Sequence, residues 1–199
     1  LQNTIITNNS ANRWGGGITF IEASNPIFDP IDRSSIFSNN VTNRGVGADI
    51  WALNIDFTID IVLDTFTVMI PTDYHASPIE NFSFDILTSI EGQANADLFV
   101  SPNGDNSNDG LTSENPLKTI QYANSIIFAD SLNPRIINLL SGTYSQNTNG
   151  EFFPIDLITF VSIVGESQEM VILDADSLTG VIMIENTQSS SLRNLTIIN

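Results

Sequence analysis

Two stretches near the start of the chain repeat each other, and this repeat constrains the fold more than any other feature. Residues Thr4–Arg13 align with Ser35–Arg44, and the two copies have an isoleucine, three asparagines and an arginine in common. Such self-similarity at a period of about 20 to 50 residues is typical of solenoids. Each copy consists of short β-branched strands that end in asparagine or glycine and shows no helical periodicity. The repeat therefore predicts a β-solenoid.

The residue types at the ends of these strands fit the corners of a solenoid. Asparagine tolerates the left-handed backbone of a tight corner, and stacked asparagine side chains can hydrogen-bond from rung to rung. The glycines of Gly15–Gly17 permit a sharp turn because they have no Cβ. Arg13 and Arg44 coincide in the repeat, so we expect them to stack at a corner.

The charge of the chain restricts its partners. The sequence contains 6 Lys and Arg residues and 23 Asp and Glu residues, which gives a formal net charge of −17. Such a chain lacks the clustered cations that bind nucleic acid or anionic membranes. Calcium and neutral glycans are more compatible partners. The sequence has no cysteine, which excludes disulfides and thiol chemistry, and no apolar run approaches the ~20 residues of a membrane span.

A different pattern follows the repeat. Hydrophobic residues alternate with polar ones from Phe57 to Leu63 and again from Phe82 to Ile86, and Asp56, Asp60 and Asp64 fall on the polar face. We interpret this region as a small antiparallel β element that caps or links two solenoid segments. The predicted domains are the last rungs of a first β-helix at 1–55, the linker at 56–97 and the start of a second β-helix at 98–199.

One helix is predicted, at about residues 116–129. Asn115 can cap it, Pro116 suits the first helical position, and one face is apolar at helical spacing. That face consists of Leu117, Ile120, Ala123 and Ile127. Strand-like runs follow, and Val161–Val164 aligns with Leu195–Ile198, which places the two runs about one long rung apart.

Several motifs of the second half resemble known proteins. Three segments resemble the amino-terminal part of many bacterial pectin-lyase-like proteins, namely Phe99–Gly110, Asn115–Gln121 and Gly142–Tyr144. A family of unknown function within that superfamily is similar to Gly150–Ile155 followed by Val161–Gly165. The resemblance covers residues 97–199, and residues 1–55 resemble the end of another such solenoid.

The resemblance implies an all-β, right-handed parallel β-helix whose amino-terminal helix plugs the exposed end. It also implies export, as part of a longer bacterial surface protein with flanking domains. The superfamily includes polysaccharide lyases, glycoside hydrolases and adhesins, so the fold does not decide the function.

A polar loop offers a candidate calcium site. Asp105, Ser107 and Asp109 supply oxygen atoms at alternate positions and Gly110 follows, as in the first half of a calcium-binding loop. The twelfth position is Pro116, so the usual bidentate glutamate is missing, and Glu114 is out of register. The alternative is an Asp- and Asn-rich turn that joins the first strand to the helix.

Two carboxylates form a candidate catalytic pair. Asp174 and Asp176 are two apart in the sequence, so an extended strand would place them on one face, where they could act as acid and base or bind calcium. The alternative is a solvated strand end. A polyuronate lyase also needs basic residues, and Lys118, Arg135 and Arg193 form no cluster in the sequence, which argues against a lyase centre here.

The histidine and the large aromatic residues are better explained as packing residues than as catalytic or binding groups. His75 is the only histidine, beside Tyr74, and is expected on the surface or in packing. Trp14, Trp51 and Tyr144 could stack on sugar rings if exposed, although we expect Trp51 to be buried.

The leading hypothesis is a non-enzymatic secreted or cell-surface module of a bacterial protein, which binds polysaccharide or surface proteins. The alternative is a carbohydrate-active enzyme, a polysaccharide lyase or glycoside hydrolase, whose site is only partly present in this chain.

Overall fold

The computed structural model describes residues 1–12, 14–22, 25–41, 47–185 and 187–198. Contacts group the chain into two compact units, Leu1–Gln93 and Ala94–Asn199. In both units, every pair of neighbouring strands in the described residues runs parallel. The predicted parallel β-solenoid is therefore confirmed. Arg13 and Arg44 lie outside the described residues, so their stacking stays a prediction.

Within its described residues, the first unit contains nine strands in three parallel sheets. Their orders are β1-β4-β7-β9, β2-β5 and β3-β6-β8, so the second rung adds one strand to each sheet and later rungs extend only the first and third sheets. The bounds are β1 Ile5–Thr7, β2 Ser10–Ala11, β3 Ile18–Ile21, β4 Ser34–Phe37, β5 Asn40–Val41, β6 Ile50–Leu53, β7 Ile59–Phe66, β8 Ala76–Ser77 and β9 Phe82–Ser89, with a 3₁₀ turn at Ile79–Asn81.

The register between the first two rungs differs by a single position from the sequence alignment. The alignment sets Ile5 against Ile36, whereas in the structure Ile6 of β1 faces Ile36 of β4. Side chains alternate between the faces of a strand, so a slip by one position exchanges the inner and outer sets. The aligned register would pair Ile5, which is 70% exposed, with Ile36, which is completely buried. Burial of the inward face therefore decides the register.

The prediction of an antiparallel element at 56–97 is wrong. β7 and β9 run parallel, with Ile59 facing Phe82 and Phe66 facing Ser89, and β7 also pairs with β4. Alternation of apolar and polar residues identifies a strand but not its direction. The segment between β7 and β9 contains β8 and the 3₁₀ turn, and such a long connection returns the chain for parallel pairing. As expected, Asp60 is exposed on the polar face.

The core of the first unit lies between its sheets. Inward residues alternate with exposed ones along β7, where Ile59, Ile61 and Leu63 are buried. These residues belong to one hydrophobic cluster that also contains Phe28, Ile36, Ile50, Ala52, Phe66, Val68, Ala76 and Phe82. Burial of this apolar surface is the main stabilising term for the unit.

The second unit has the same kind of parallel sheets and also contains a short helix. Its sheets have the orders β10-β11-β14-β17, β12-β15-β18 and β13-β16. The bounds are β10 Leu98–Val100, α1 Ile120–Ile126, β11 Arg135–Leu139, β12 Gly142–Tyr144, β13 Ile155–Asp156, β14 Val161–Gly165, β15 Val171–Asp174, β16 Ile182–Met183, β17 Leu192–Arg193 and β18 Thr196–Ile198. No helix in the described ranges is long and apolar enough to cross a membrane.

The helix begins later than its predicted start at residue 116. Thr119, not Asn115, is the N-cap, and its side chain accepts a hydrogen bond from the backbone N–H of Tyr122 at 3.2 Å. Leu117 instead forms an isolated parallel bridge with Val100. The predicted apolar face is confirmed, since Leu117, Ile120, Ala123 and Ile127 are all completely buried.

The proposed alignment of Val161–Val164 with Leu195–Ile198 is also wrong. In β14, Ile163 faces Leu192 of β17, whereas the segment from Thr196 to Ile198 pairs with β15. Only Asn194 and Leu195 separate β17 from β18, so the last rung is shorter than the alignment implies. Similar β-branched runs cannot be assigned to a sheet without the lengths of the turns between them.

Candidate functional site

A ladder of hydrogen bonds at one corner of the first unit confirms the predicted asparagine stacking. Asn39 accepts, through Oδ1, the backbone N–H of Asn9 at 3.1 Å and the Asn9 amide at 2.9 Å. The Asn39 amide in turn donates to Asp49 Oδ1 at 3.0 Å. Asn8 and Asn54 adopt positive φ angles of 57° and 54°, the left-handed backbone that asparagine tolerates at a tight corner. Asparagine thus serves the fold in two ways, as a corner residue and as a link between rungs.

Asp49 completes this corner ladder and was not identified from the sequence. Its carboxylate also accepts the hydroxyl of Thr67 at 2.7 Å and the backbone N–H of Asn39 at 3.1 Å. The side chain is only 1% exposed. Burial raises the pKa of Asp49 to about 6, although the hydrogen bonds from Thr67 and Asn39 oppose the shift.

Glu151 is the corresponding buried carboxylate of the second unit. It is fully buried beneath the start of the helix and accepts the backbone N–H of Ile120 at 2.7 Å and of Gln121 at 3.0 Å. These N–H groups have no partner within the helix, so Glu151 acts as a cap from a distant part of the chain. Burial raises its pKa to about 7 against the effect of these bonds. Glu151 belongs to the Gly150–Ile155 motif, but nothing in the sequence indicates its role as a cap.

The candidate calcium loop is stabilised by its own side chains. Asp105 accepts the backbone N–H of Ser107 at 2.8 Å, and Asp109 accepts that of Leu111 at 3.0 Å. Asp105, Ser107 and Asp109 are all exposed. The neighbouring Asn106 points the other way and accepts the backbone N–H of Lys118 at 2.8 Å. These bonds stabilise the loop and connect it to the residue before the N-cap of the helix. Calcium binding stays a prediction.

Asp174 and Asp176 do not share a strand face. Asp174 ends β15, whereas Asp176 lies beyond the strand with a φ of 53°. Asp174 Oδ1 accepts the backbone N–H of Asp176 at 2.9 Å, and Asp176 Oδ2 accepts that of Asn147 at 3.3 Å. Asp174 and Asp176 therefore lie in a turn at the end of β15. Their catalytic role stays a prediction, without the geometry that motivated it.

Arg33, Arg135 and His75 contact different partners and do not come together in one site. Arg33 pairs with Asp85 at 2.7 Å, and Arg135 bonds to the side chain of Asn95. His75 is completely buried, which confirms packing, and its Nδ1 lies 3.2 Å from the hydroxyl of Thr72. Within the part of the chain that the structure describes, no group of three or more His, Cys, Asp or Glu side chains could hold a metal ion.

The aromatic candidates differ in their placement. Tyr144 is completely buried and its hydroxyl donates to the carbonyls of Val100 and Leu140, both at 2.8 Å, so it cannot stack on a sugar. Trp51 is buried, as predicted, and only 4% exposed. Trp14 is partly exposed and stacks on Trp51, with ring centroids 4.5 Å apart and an angle of 9° between the planes.

Comparison with known families bears on the second unit. Residues 102–198 match a family model described as protein of unknown function, DUF1565. The matched segment contains the helix, Glu151 and both candidate carboxylates of β15 and its turn. It is just under half of the chain and carries no assigned activity. No curated protein and no solved structure matches the chain.

Proposed function

We propose that this chain is a non-enzymatic module of a secreted or cell-surface bacterial protein, which binds glycans or surface proteins through the outward faces of its solenoid sheets. The proposal includes membership of the pectin-lyase-like superfamily. Its support is the parallel solenoid, the helix at the start of the second unit and the match to a family of unknown function.

The observation that carries the proposal is the outward face of β7 and β9. Its polar side chains bond across the strands, as Ser83 does to Asp60 and as Thr65 does to Thr88 at 3.0 Å. Cross-strand pairs of this kind hold neighbouring side chains in fixed positions. The face thus presents hydroxyl and carboxylate groups at the regular strand spacing of about 4.8 Å. Such an array suits repeated contacts with a polymeric ligand.

The electrostatics of the buried carboxylates also favour a structural reading. Strongly raised carboxyl pKa values mark candidate catalytic groups, but ion and hydrogen-bond networks that serve the fold produce them as well. Asp49 and Glu151 both lie inside their units and bond to backbone N–H groups of neighbouring segments. We therefore attribute their raised pKa values to structural roles, in which Asp49 links segments of the first unit and Glu151 caps the helix of the second.

The test is a panel of neutral and acidic polysaccharides incubated with the chain, with calcium and with chelator, in which binding and product release are scored together. Saturable binding without products supports the proposal. Release of products from any polysaccharide would contradict it and favour the enzyme alternative. The variants Asp174→Asn and Asp176→Asn then decide whether those carboxylates act, since turnover that survives in both excludes them. A binding or stability change that requires calcium would support the predicted Asp105 site.

A further inference from the structure

The chain contains two asparagine–glycine pairs, Asn103–Gly104 and Asn149–Gly150, and the fold places them in opposite environments. A glycine after an asparagine has no Cβ to shield its backbone nitrogen. That nitrogen can therefore attack the amide carbon of the asparagine side chain, which is the first step of deamidation. The amino-acid types alone make both pairs prone to this reaction, so the surrounding structure decides which of them reacts.

The first pair lies in an exposed turn of the second unit. The side chain of Asn103 is exposed, and the backbone N–H of Gly104 donates to the carbonyl of Ser101 at 2.9 Å. The Gly104 nitrogen must leave this bond and lose its proton before it attacks. Surface turns open locally at a low free energy, without unfolding of the unit that carries them. The reaction is therefore open to the folded chain.

The packing of the turn requires the glycine of this pair. A Cβ at position 104 would lie 2.2 Å from the carbonyl oxygen of Leu117 and 2.6 Å from that of Pro116. A side chain at this position would force the backbone of the turn away from residues 116–117. The fold thus depends on the same residue that makes Asn103 reactive.

The second pair is held by buried hydrogen bonds. Asn149 is only 3% exposed, and its Oδ1 accepts the backbone N–H of Ser145 at 3.0 Å. Its amide nitrogen donates to the carbonyl of Lys118 at 2.9 Å. A Cβ on Gly150 would meet nothing within 4 Å, so crowding at the glycine does not protect this pair. Protection comes from the two side-chain bonds, which the reaction would have to break inside the protein.

We propose that Asn103 is a site of spontaneous modification, which converts to aspartate and isoaspartate in the folded chain while Asn149 is protected. The Gly104 nitrogen forms a bond to Cγ of Asn103, and the bond from Cγ to Nδ2 breaks. The proton of the Gly104 N–H leaves with Nδ2 as ammonia. Water then opens the resulting five-membered ring at either of its two carbonyl carbons. The reaction consumes water, releases ammonia and involves no oxidation or reduction.

The modification changes the loop that leads to the helix. Both products add a carboxylate close to Asp105, and isoaspartate also places an additional carbon atom in the backbone before Gly104. Ser101 donates its backbone N–H to the carbonyl of Leu117 at 2.9 Å, and Asp105 donates its own to Pro116 at 3.1 Å. A longer backbone between these two donors disturbs both bonds. Hydrogen exchange at the two amides should therefore be faster in the isoaspartate form.

The test incubates the folded 199-residue chain near neutral pH and follows each asparagine by mass spectrometry of pepsin peptides. Deamidation at Asn103 should proceed at least about tenfold faster than at Asn149, which must first lose two buried hydrogen bonds. In urea the two pairs should react at similar rates, because the protection of Asn149 belongs to the fold.

An isoaspartyl methyltransferase identifies the product. It should label the incubated original chain much more strongly than the variant Asn103→Gln, whose longer side chain does not form the five-membered ring. Asn147→Gln makes the same change at another exposed position and should leave the labelling as in the original chain. Circular dichroism establishes that each variant is folded.

Two results would overturn the proposal. Equal rates at the two pairs in the folded chain would show that the fold does not discriminate between them. Modification of Asn103 in urea but not in the folded chain would show that the bond from Gly104 to Ser101 protects the exposed pair as well.

Discussion

Glu151 provides the sharpest test of the structure, because one buried carboxylate holds the start of the only helix in the described residues. A pKa raised from 4.5 to about 7 corresponds to about 3 kcal/mol. The folded protein binds the proton more tightly than the unfolded chain, so this contribution is fully present below pH 4.5. It is lost as the pH rises through about 7, and the free energy of unfolding should fall over that window.

The variant Glu151→Gln removes this titration while keeping the shape of the side chain. We expect the difference in the free energy of unfolding, original chain minus variant, to decrease by about 3 kcal/mol between about pH 4.5 and about pH 8. Urea denaturation followed by far-UV circular dichroism measures it. Glu169→Gln, a change at an exposed position, is the control for net charge. Parallel pH profiles for the original chain and Glu151→Gln would refute the reasoning.

Glu151→Ala tests the hydrogen bonds themselves. It leaves the backbone N–H groups of Ile120 and Gln121 without their acceptor, at a cost of about 1–3 kcal/mol each. The expected loss is therefore about 2–6 kcal/mol, with faster hydrogen exchange confined at first to the helix. Unchanged exchange in residues 120–126 would show that the carboxylate does not cap the helix.

Three further substitutions test the packing, each by thermal or urea denaturation. Asp49→Asn should cost about 1–3 kcal/mol because an amide cannot accept all the bonds of the corner, while Asp85→Asn at the surface should have a much smaller effect; equal effects would contradict the ladder. Gly165→Ala should cost more than about 1 kcal/mol because its Cβ would lie 2.1 Å from a backbone oxygen of the next rung, whereas Gly180→Ala meets nothing within 4 Å; a tolerated Gly165→Ala would refute the close stacking. Tyr144→Phe should cost about 1–2 kcal/mol, since it removes a buried hydroxyl that bonds to two carbonyls, and no change would show that these bonds are dispensable.

The sequence predicted those features that depend on local chemistry and periodicity. Asparagines at repeated positions indicated corners and a rung-to-rung ladder, which Asn9 and Asn39 form. Alternating residues identified the strands β7 and β9, and helical spacing identified the buried face of Ile120 and Ala123. These inferences succeed because backbone preference and side-chain alternation act over short distances along the chain.

Only the tertiary structure decided the features that depend on distant segments. The register of Ile6 against Ile36 is set by burial on the inner face, and the parallel direction of β7 and β9 is set by the path of the intervening chain. The N-cap of the helix is Thr119 rather than Asn115, and Glu151, from a later part of the chain, accepts the first N–H groups of the helix. The sequence by itself thus determined that the chain forms a solenoid with polar corners, since strand and corner preferences are local. The pairing of rungs and the burial of Asp49 and Glu151 followed only from folding, because they depend on contacts between segments that local preferences do not specify.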